Sequence, residues 1–302
     1  MAQHDVNKKD HCRYKTIQEA VDQASPGDTI RIGRGTYYEK LEIKKDGLIL
    51  IGEGQGATIL SWNDYAQKAH AGGGSYGTFR TYTCLIQADN VRLEQLTIEN
   101  TAGDGRDVGQ AVALYADGDC LTVVGCQLIG FQDTLFTAPL PSAPRIPGSF
   151  IGPSENKPYR PQRQCFHQCT ITGDVDYIFG SALVVFDQCQ MISRDRGLKV
   201  NGYVTAPSTW QGMPYGYVFI ESSFIGQEGI DPQSVYLGRP WRPYGQVRLI
   251  NCTMDQSIHE DLWDPWGDPK NFETADFQVT QSDTIDFLDE WHQQQLKTLC
   301  SR

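Results

Sequence analysis

The sequence predicts an all-β fold, a single-stranded parallel β-helix (solenoid) closed by a short N-terminal capping helix and flanked by a C-terminal helix. Three observations predict it. The first is a recurring template of apolar, any, apolar, two residues, small, any, apolar. It reads Val91-Leu93-Leu96-Ile98, Leu121-Val123-Cys126-Leu128, Val184-Phe186-Cys189-Met191, Val218-Ile220-Ser223-Ile225 and Val247-Leu249-Cys252-Met254. Gln164-Phe166-Cys169-Ile171 fits with one polar substitution. With Leu96, Cys126, Cys169, Cys189, Ser223 and Cys252 as anchors, the spacings are 30, 43, 20, 34 and 29. Periods of about 20–50 residues mark a solenoid or propeller, with insertions emerging as loops. The second observation is that each unit holds short alternating strands with no helical period, which excludes leucine-rich and α-helical repeats. The uneven spacing disfavours a propeller, and a β-sandwich is the remaining alternative.

The third observation is the chain's two ends. Thr16-Ile17-Gln18-Glu19 has the capping-box pattern, Ala20, Val21 and Ala24 fall on one helical face, and Pro26-Gly27 stops the element. Such a helix can plug the open end of a stacked core. Ile285, Leu288, Trp291, Leu296 and Leu299 predict a second helix lying along the side. Residues 138–163, rich in Pro and Ser, read as an excursion loop between two coils, and residues 1–302 as one domain.

Composition narrows the function. With 37 acidic and 26 basic residues the net charge is −11. Nucleic-acid binding needs clustered Lys and Arg and is not expected; a substrate with its acids masked as neutral esters is better tolerated. No apolar run is long enough to span a bilayer, and Met1–Asp5 lacks the apolar stretch of a secretory signal. The sequence as it stands reads as intracellular, or as secreted if a signal has been trimmed. The nine cysteines include no C-x-x-C pair, and Cys126, Cys169, Cys189 and Cys252 occupy matching apolar positions, as buried thiols do. The six histidines form no metal-binding set and no G-x-S-x-G elbow is present, so neither a metal nor a serine hydrolase is expected.

Four polar clusters interrupt the apolar template: Gln110 in Gln110–Leu114, Gly130–Leu135 with Gln132 and Asp133, Gly173–Gly180 with Asp176, and Leu237–Trp241 with Arg239. In a β-helix, residues one coil apart become neighbours about 4.8 Å apart, so these segments can build one patch on a sheet face. Two carboxylates held close divide their labour, one staying protonated while the other stays ionised. The ionised acid can attack a carbonyl carbon, and the protonated one can supply a proton to the leaving alkoxide. Gln side chains can stabilise the oxyanion, and Arg239 can hold one acid ionised through a bidentate pair. Trp241, Tyr177 and Phe179 offer flat faces for sugar rings. On this reasoning alone it stays open which Asp attacks, and Asp174 reads as a turn former.

At these clusters the sequence resembles the pectin methylesterase (pectinesterase) family. The matching stretches are GTYYEKLEI at 35–43, QAVAL at 110–114, GFQDTLF at 130–136, GDVDYIFG at 173–180 and YLGRPW at 236–241, in the family's order. The resemblance implies a right-handed helix and cofactor-free hydrolysis of galacturonate methyl esters in pectin or methylated oligogalacturonides, by a monomer, with no nucleic-acid or membrane partner and no metal. It implies Asp176 as nucleophile, Asp133 as general acid and then base, and Gln110 and Gln132 as oxyanion donors. Arg239 becomes the partner of the nucleophile, and Trp241 and Phe179 become sugar contacts. Tyr177 stands where Phe is more usual, and the 138–163 loop is longer than expected, placed to wall one side of the cleft. Rival readings are another ester or thioester hydrolase on the same fold, a polysaccharide lyase or polygalacturonase, and a non-catalytic carbohydrate-binding β-helix.

Overall fold

The computed structural model describes residues 1–8, 12–267, 269–282 and 284–300. Its strands form three sheets of ten, eight and seven strands, and the registered strand pairings are parallel. Each complete coil contributes one strand to each sheet, and the chain's two ends add the remaining strands. One coil runs Leu121–Val124, Gln127–Ile129 and Leu135–Thr137, and the next runs Arg163–His167, Thr170–Gly173 and Val175–Gly180. Leu183–Asp187, Gln190–Ser193 and Gly202–Pro207 follow, then Tyr217–Ile220, Ser223–Gly226 and Val235–Gly238. These are the coils that carry the candidate site.

The apolar template works because the same side-chain type recurs at the same register and stacks on itself. Phe166, Phe186 and Phe219 form one such column, with ring centroids 5.1 and 4.6 Å apart and planes tilted by 22° and 10°. Cys126, Cys169 and Cys189 sit just before the strands of the eight-stranded sheet as buried free thiols. At the preceding corner the chain bends through a left-handed residue, coil after coil: Gln95, Gln168, Gln188, Glu221 and Asn251, with φ between 47° and 55°. One residue in that region turns the backbone sharply without a longer loop.

The template is misread by one residue in a single coil. Tyr217, Phe219 and Phe224 pair with Val184, Phe186 and Met191, so the inward residues are Tyr217, Phe219, Ser222 and Phe224, not Val218, Ile220, Ser223 and Ile225. Ser222 takes the cysteine's place, its Oγ accepting the Cys189 N–H at 3.0 Å. The error has a physical source. The outer face of this sheet is also apolar, because Val218, Ile220, Leu183 and Val185 pack beneath Leu288 and Leu296. With both faces buried, alternation no longer tells inside from outside.

Both end elements form, although the second begins only at Glu290, so Ile285 and Leu288 precede the helix expected to include them. Ile17–Gln23 is a helix with a complete Thr16/Glu19 capping box, and Ile17, Ala20 and Val21 join the core it closes. The C-terminal helix, Glu290–Cys300, lies on the ten-stranded sheet, with His292 buried between Tyr215 Oη at 2.9 Å and the Gln164 carbonyl at 3.0 Å. Trp291 is only half-buried. Among the described residues no helix is long and apolar enough to cross a membrane.

The excursion spans 138–162, since a strand begins at Arg163. It is tied down along its length. Ser154 Oγ and Gln162 Nε2 donate to the buried Asp117 carboxylate at 2.5 and 2.7 Å, joined there by Lys157 at 2.6 Å. Arg160 grips both oxygens of Asp89 at 2.7 Å, and Tyr159 stacks on Trp210 at 3.7 Å.

Candidate active site

The seven-stranded sheet gathers the four polar clusters. Leu114 pairs with Leu135, and Leu135 with Ile178. Two residues before that second pair stand Asp133 and Asp176, at equivalent positions of adjacent coils. Both have left-handed backbones, φ 65° and 49°, a conformation that short polar residues such as Asp tolerate. The Asp133 N–H donates to the Val175 carbonyl at 3.0 Å, which ties the two turns together.

The acids differ in their partners. Arg239 donates Nε–H to Asp176 Oδ1 at 2.9 Å and Nη2–H to Oδ2 at 2.8 Å, a bidentate pair. Its guanidinium is held in place by two rings, Tyr203 at 3.7 Å and Trp266 at 3.9 Å from their centroids. Asp176 is 6% exposed and Asp133 7%. Burial pushes the Asp176 carboxyl above its usual range while Arg239 pulls it back. Burial, and then the charge of Asp176, push Asp133 far above the carboxylate range. The geometry therefore favours an ionised Asp176 beside a protonated Asp133.

Gln132 precedes Asp133, and its carbonyl accepts the Ala111 N–H at 3.1 Å, which sets Gln110 and Gln132 on neighbouring coils of the same face. Gly105 makes room for the Gln132 side chain: a Cβ on Gly105 would lie 2.5 Å from Gln132 Oε1. Asp174, expected as a turn former, is buried. Its Oδ1 accepts the Val175 N–H at 2.6 Å, Oδ2 has no hydrogen-bond partner among the described residues, and burial raises the carboxyl to about 6.

The aromatic expectations divide. Trp241 is half-buried at the edge of an aromatic cluster of Phe79, Tyr115, Phe136, Phe150 and Phe179. Phe179 lies 5.7 Å from Trp241, edge to face, and is 3% exposed, so it supports Trp241 from below. Tyr177 is corrected. It is fully buried in the main core and bonds Ser193 Oγ at 3.1 Å, because the left-handed bend at Asp176 and the register irregularity between Val175 and Ile178 break the alternation and bring both Tyr177 and Ile178 inward. It offers no surface to a sugar. The excursion loop reaches this edge through Phe150, 6.2 Å from Trp241.

Tyr203 and Trp266 were not anticipated. Tyr203 pairs in register with Tyr236, one coil before the Arg239 segment, so a repeated Tyr was a usable signal. Trp266 arrives when the chain passes beside Gly238 again at Trp263, and nothing local marks it. Among the described residues no group of His, Cys, Asp or Glu could hold a metal.

Residues 3–140 and 158–282 match the protein family described as Pectinesterase. The probable pectinesterase/pectinesterase inhibitor 64 of Arabidopsis thaliana is 31% identical over 276 residues, covering 84% of this chain and 41% of that protein. The pectinesterase of Petunia integrifolia is 31% identical over 265 residues, covering 84% and 63%. The chain thus spans about half the length of the curated relatives it matches. The carrot pectin methylesterase structure superposes with TM-score 0.77 at 26% identity, covering 92% of this chain and 82% of that one. The Erwinia chrysanthemi pectin methylesterase gives 0.75 at 28%, covering 95% and 91%.

Proposed function

The chain belongs to the pectinesterase family, and from that premise we propose that it hydrolyses methyl esters of galacturonate units in pectin, releasing methanol and leaving a free carboxylate. The Asp176 carboxylate attacks the ester carbonyl carbon. Negative charge gathers on the carbonyl oxygen, where Gln110 and Gln132 donate; one such donor is worth about 2.7–4 kcal/mol. Asp133 gives its proton to the departing methoxide, so methanol leaves and an acyl-enzyme anhydride remains. Asp133, now ionised, takes a proton from water, and the water oxygen attacks the acyl carbon. The substrate carboxylate departs and Asp176 is restored.

One observation carries this reading: Arg239 clamps both oxygens of Asp176, while Asp133, stacked one coil away, has no such clamp among the described residues. That asymmetry lets two neighbouring acids act as nucleophile and proton donor. Trp241 would provide a face for the sugar ring, supported by Phe179. The test is methanol release from highly methylated pectin by wild type and by Asp176→Asn. Wild type should release methanol with no ultraviolet-absorbing unsaturated product, and the variant should lose about three orders of magnitude or more in kcat. An unsaturated product would mean a lyase, and a near-normal Asp176→Asn would remove Asp176 as nucleophile.

A further inference from the structure

Beside Trp241 the structure holds two arginines that form no ion pair among the described residues. Arg145 Nη2–H donates to the Trp241 carbonyl at 3.1 Å, and Arg242 Nη1–H donates to the same oxygen at 2.9 Å. Arg242 also donates to the Ala143 carbonyl at 3.3 Å. Among the described residues neither forms an ion pair, a condition they share with Arg80, Arg194 and Arg196, which also donate to backbone carbonyls. What distinguishes this pair, in a chain of net charge −11, is that both cations converge on one carbonyl oxygen. Burial, and then the charge of Arg145, depress Arg242 to about 10, so the pairing is held against its own repulsion. A guanidinium has five N–H donors, and most of those on both side chains have no acceptor among the described residues.

Position gives the pair its meaning. The Arg242 guanidinium lies 4.8 Å from the Trp241 ring, and Arg145 lies 5.8 Å from the Trp266 ring. The Trp266 ring also stacks on Arg239, 3.9 Å away, so one indole separates Arg145 from the clamp on Asp176. Arg145 comes from the excursion loop, in the stretch 141–157 that the family match leaves out. The loop is anchored by Phe150 against Phe79 at 5.6 Å and by the Asp117 and Asp89 bonds, so its guanidinium is presented from a fixed support.

We propose that Arg145 and Arg242 together bind the free carboxylate of a galacturonate unit neighbouring the one whose ester is hydrolysed. The proposal rests on the esterase reading and deepens it. Planar guanidinium forks match carboxylate geometry and form charge-assisted hydrogen bonds, whereas a methyl ester carries no charge to attract them. The reaction's own product supplies this ligand.

The experiment compares two methylated oligogalacturonides of equal length, one fully esterified and one with a single free carboxylate beside an ester, on wild type, R145A, R242A, the double variant and the double Lys variant. The expected result is a fall of about tenfold in kcat/KM for the double variant, equivalent to about 1.4 kcal/mol. It should arise mainly in KM, be confined to the substrate with the free carboxylate, and be partly restored by Lys. An equal fall on both substrates would mean a structural role, and no fall on either would mean no carboxylate site; both overturn the proposal. Affinity for unesterified hexagalacturonate, measured by calorimetry at low and high salt, tests the site without any turnover. Wild type that binds this probe in an Arg145- and Arg242-dependent way but frees no methanol would refute the esterase reading while leaving the site standing. Binding unchanged in the double variant would refute the site alone.

Discussion

Asp133 and Asp176 occupy equivalent positions of adjacent coils, two residues before the paired Leu135 and Ile178, and both hold left-handed backbones. The β-helix thus stacks two carboxylates as it stacks phenylalanines. In the core, stacking like on like is favourable. On this face it is unfavourable unless one acid keeps its proton, and Arg239 determines which one does not.

The pH profile follows from that arrangement. With Asp176 as the proposed nucleophile, activity would require it ionised, and its carboxyl is raised by burial, so the acid limb should fall above the ordinary Asp value of about 3.9. With Asp133 as the proposed proton donor, activity would also require it protonated, and burial with the neighbouring charge places its titration much higher. kcat/KM should therefore rise through the first titration and fall through the second. An optimum below about pH 4 would contradict the assignment.

Stability should show the same strain. A carboxyl whose pKa is raised by folding destabilises the fold above its unfolded value, and the cost disappears as pH falls below it. Asp133→Asn removes that cost and keeps the left-handed turn, which Asn adopts readily. We expect the variant to be inactive and about 1–2 kcal/mol more stable at neutral pH. The gain should shrink toward pH 4, followed by denaturant unfolding across pH. A variant less stable than wild type at pH 7 would show that Asp133 is not strained.

Much of this site was legible because its residues lie in short segments that recur one coil apart. Asp133, Asp176 and Arg239 stand out as polar groups where the repeat expects apolar ones. Tyr177 was misassigned because adjacency in sequence to Asp176 says nothing about which side of a strand a residue faces. The inward register of 217–224 was hidden by an apolar outer face, whose cover arrives in the chain only at Leu288 and Leu296. Trp266 was invisible because its contact with Arg239 depends on where the chain returns after the last full coil.

Arg239 should be replaceable only at a cost in both rate and pH dependence. Lys keeps a charge but cannot span both Asp176 oxygens or stack flat between Tyr203 and Trp266. Arg239→Lys should lower kcat about 100-fold, by analogy with loss of one preorganised donor. Arg239→Gln should lower it further and move the acid limb to higher pH, because the charge that holds the Asp176 carboxyl down is gone. Initial rates over a pH series report both effects. An unmoved acid limb in Arg239→Gln would show that Arg239 does not control the ionisation of Asp176.

Tyr177 and Trp241 provide the last contrast, since both are aromatic and near the site but face opposite ways. The Tyr177 hydroxyl meets Ser193 Oγ at 3.1 Å inside the core, so Tyr177→Phe loses one buried hydrogen bond, about 1 kcal/mol of stability. Its kcat/KM should stay at the wild-type level. Trp241→Ala removes the half-buried face above Phe179 and should raise KM about tenfold with a smaller change in kcat, the signature of lost substrate binding. The two variants are compared by thermal unfolding and by initial rates on the same methylated oligogalacturonide. A rise in KM for Tyr177→Phe without loss of stability would mean that the core-facing position of its ring is not the one used in the complex.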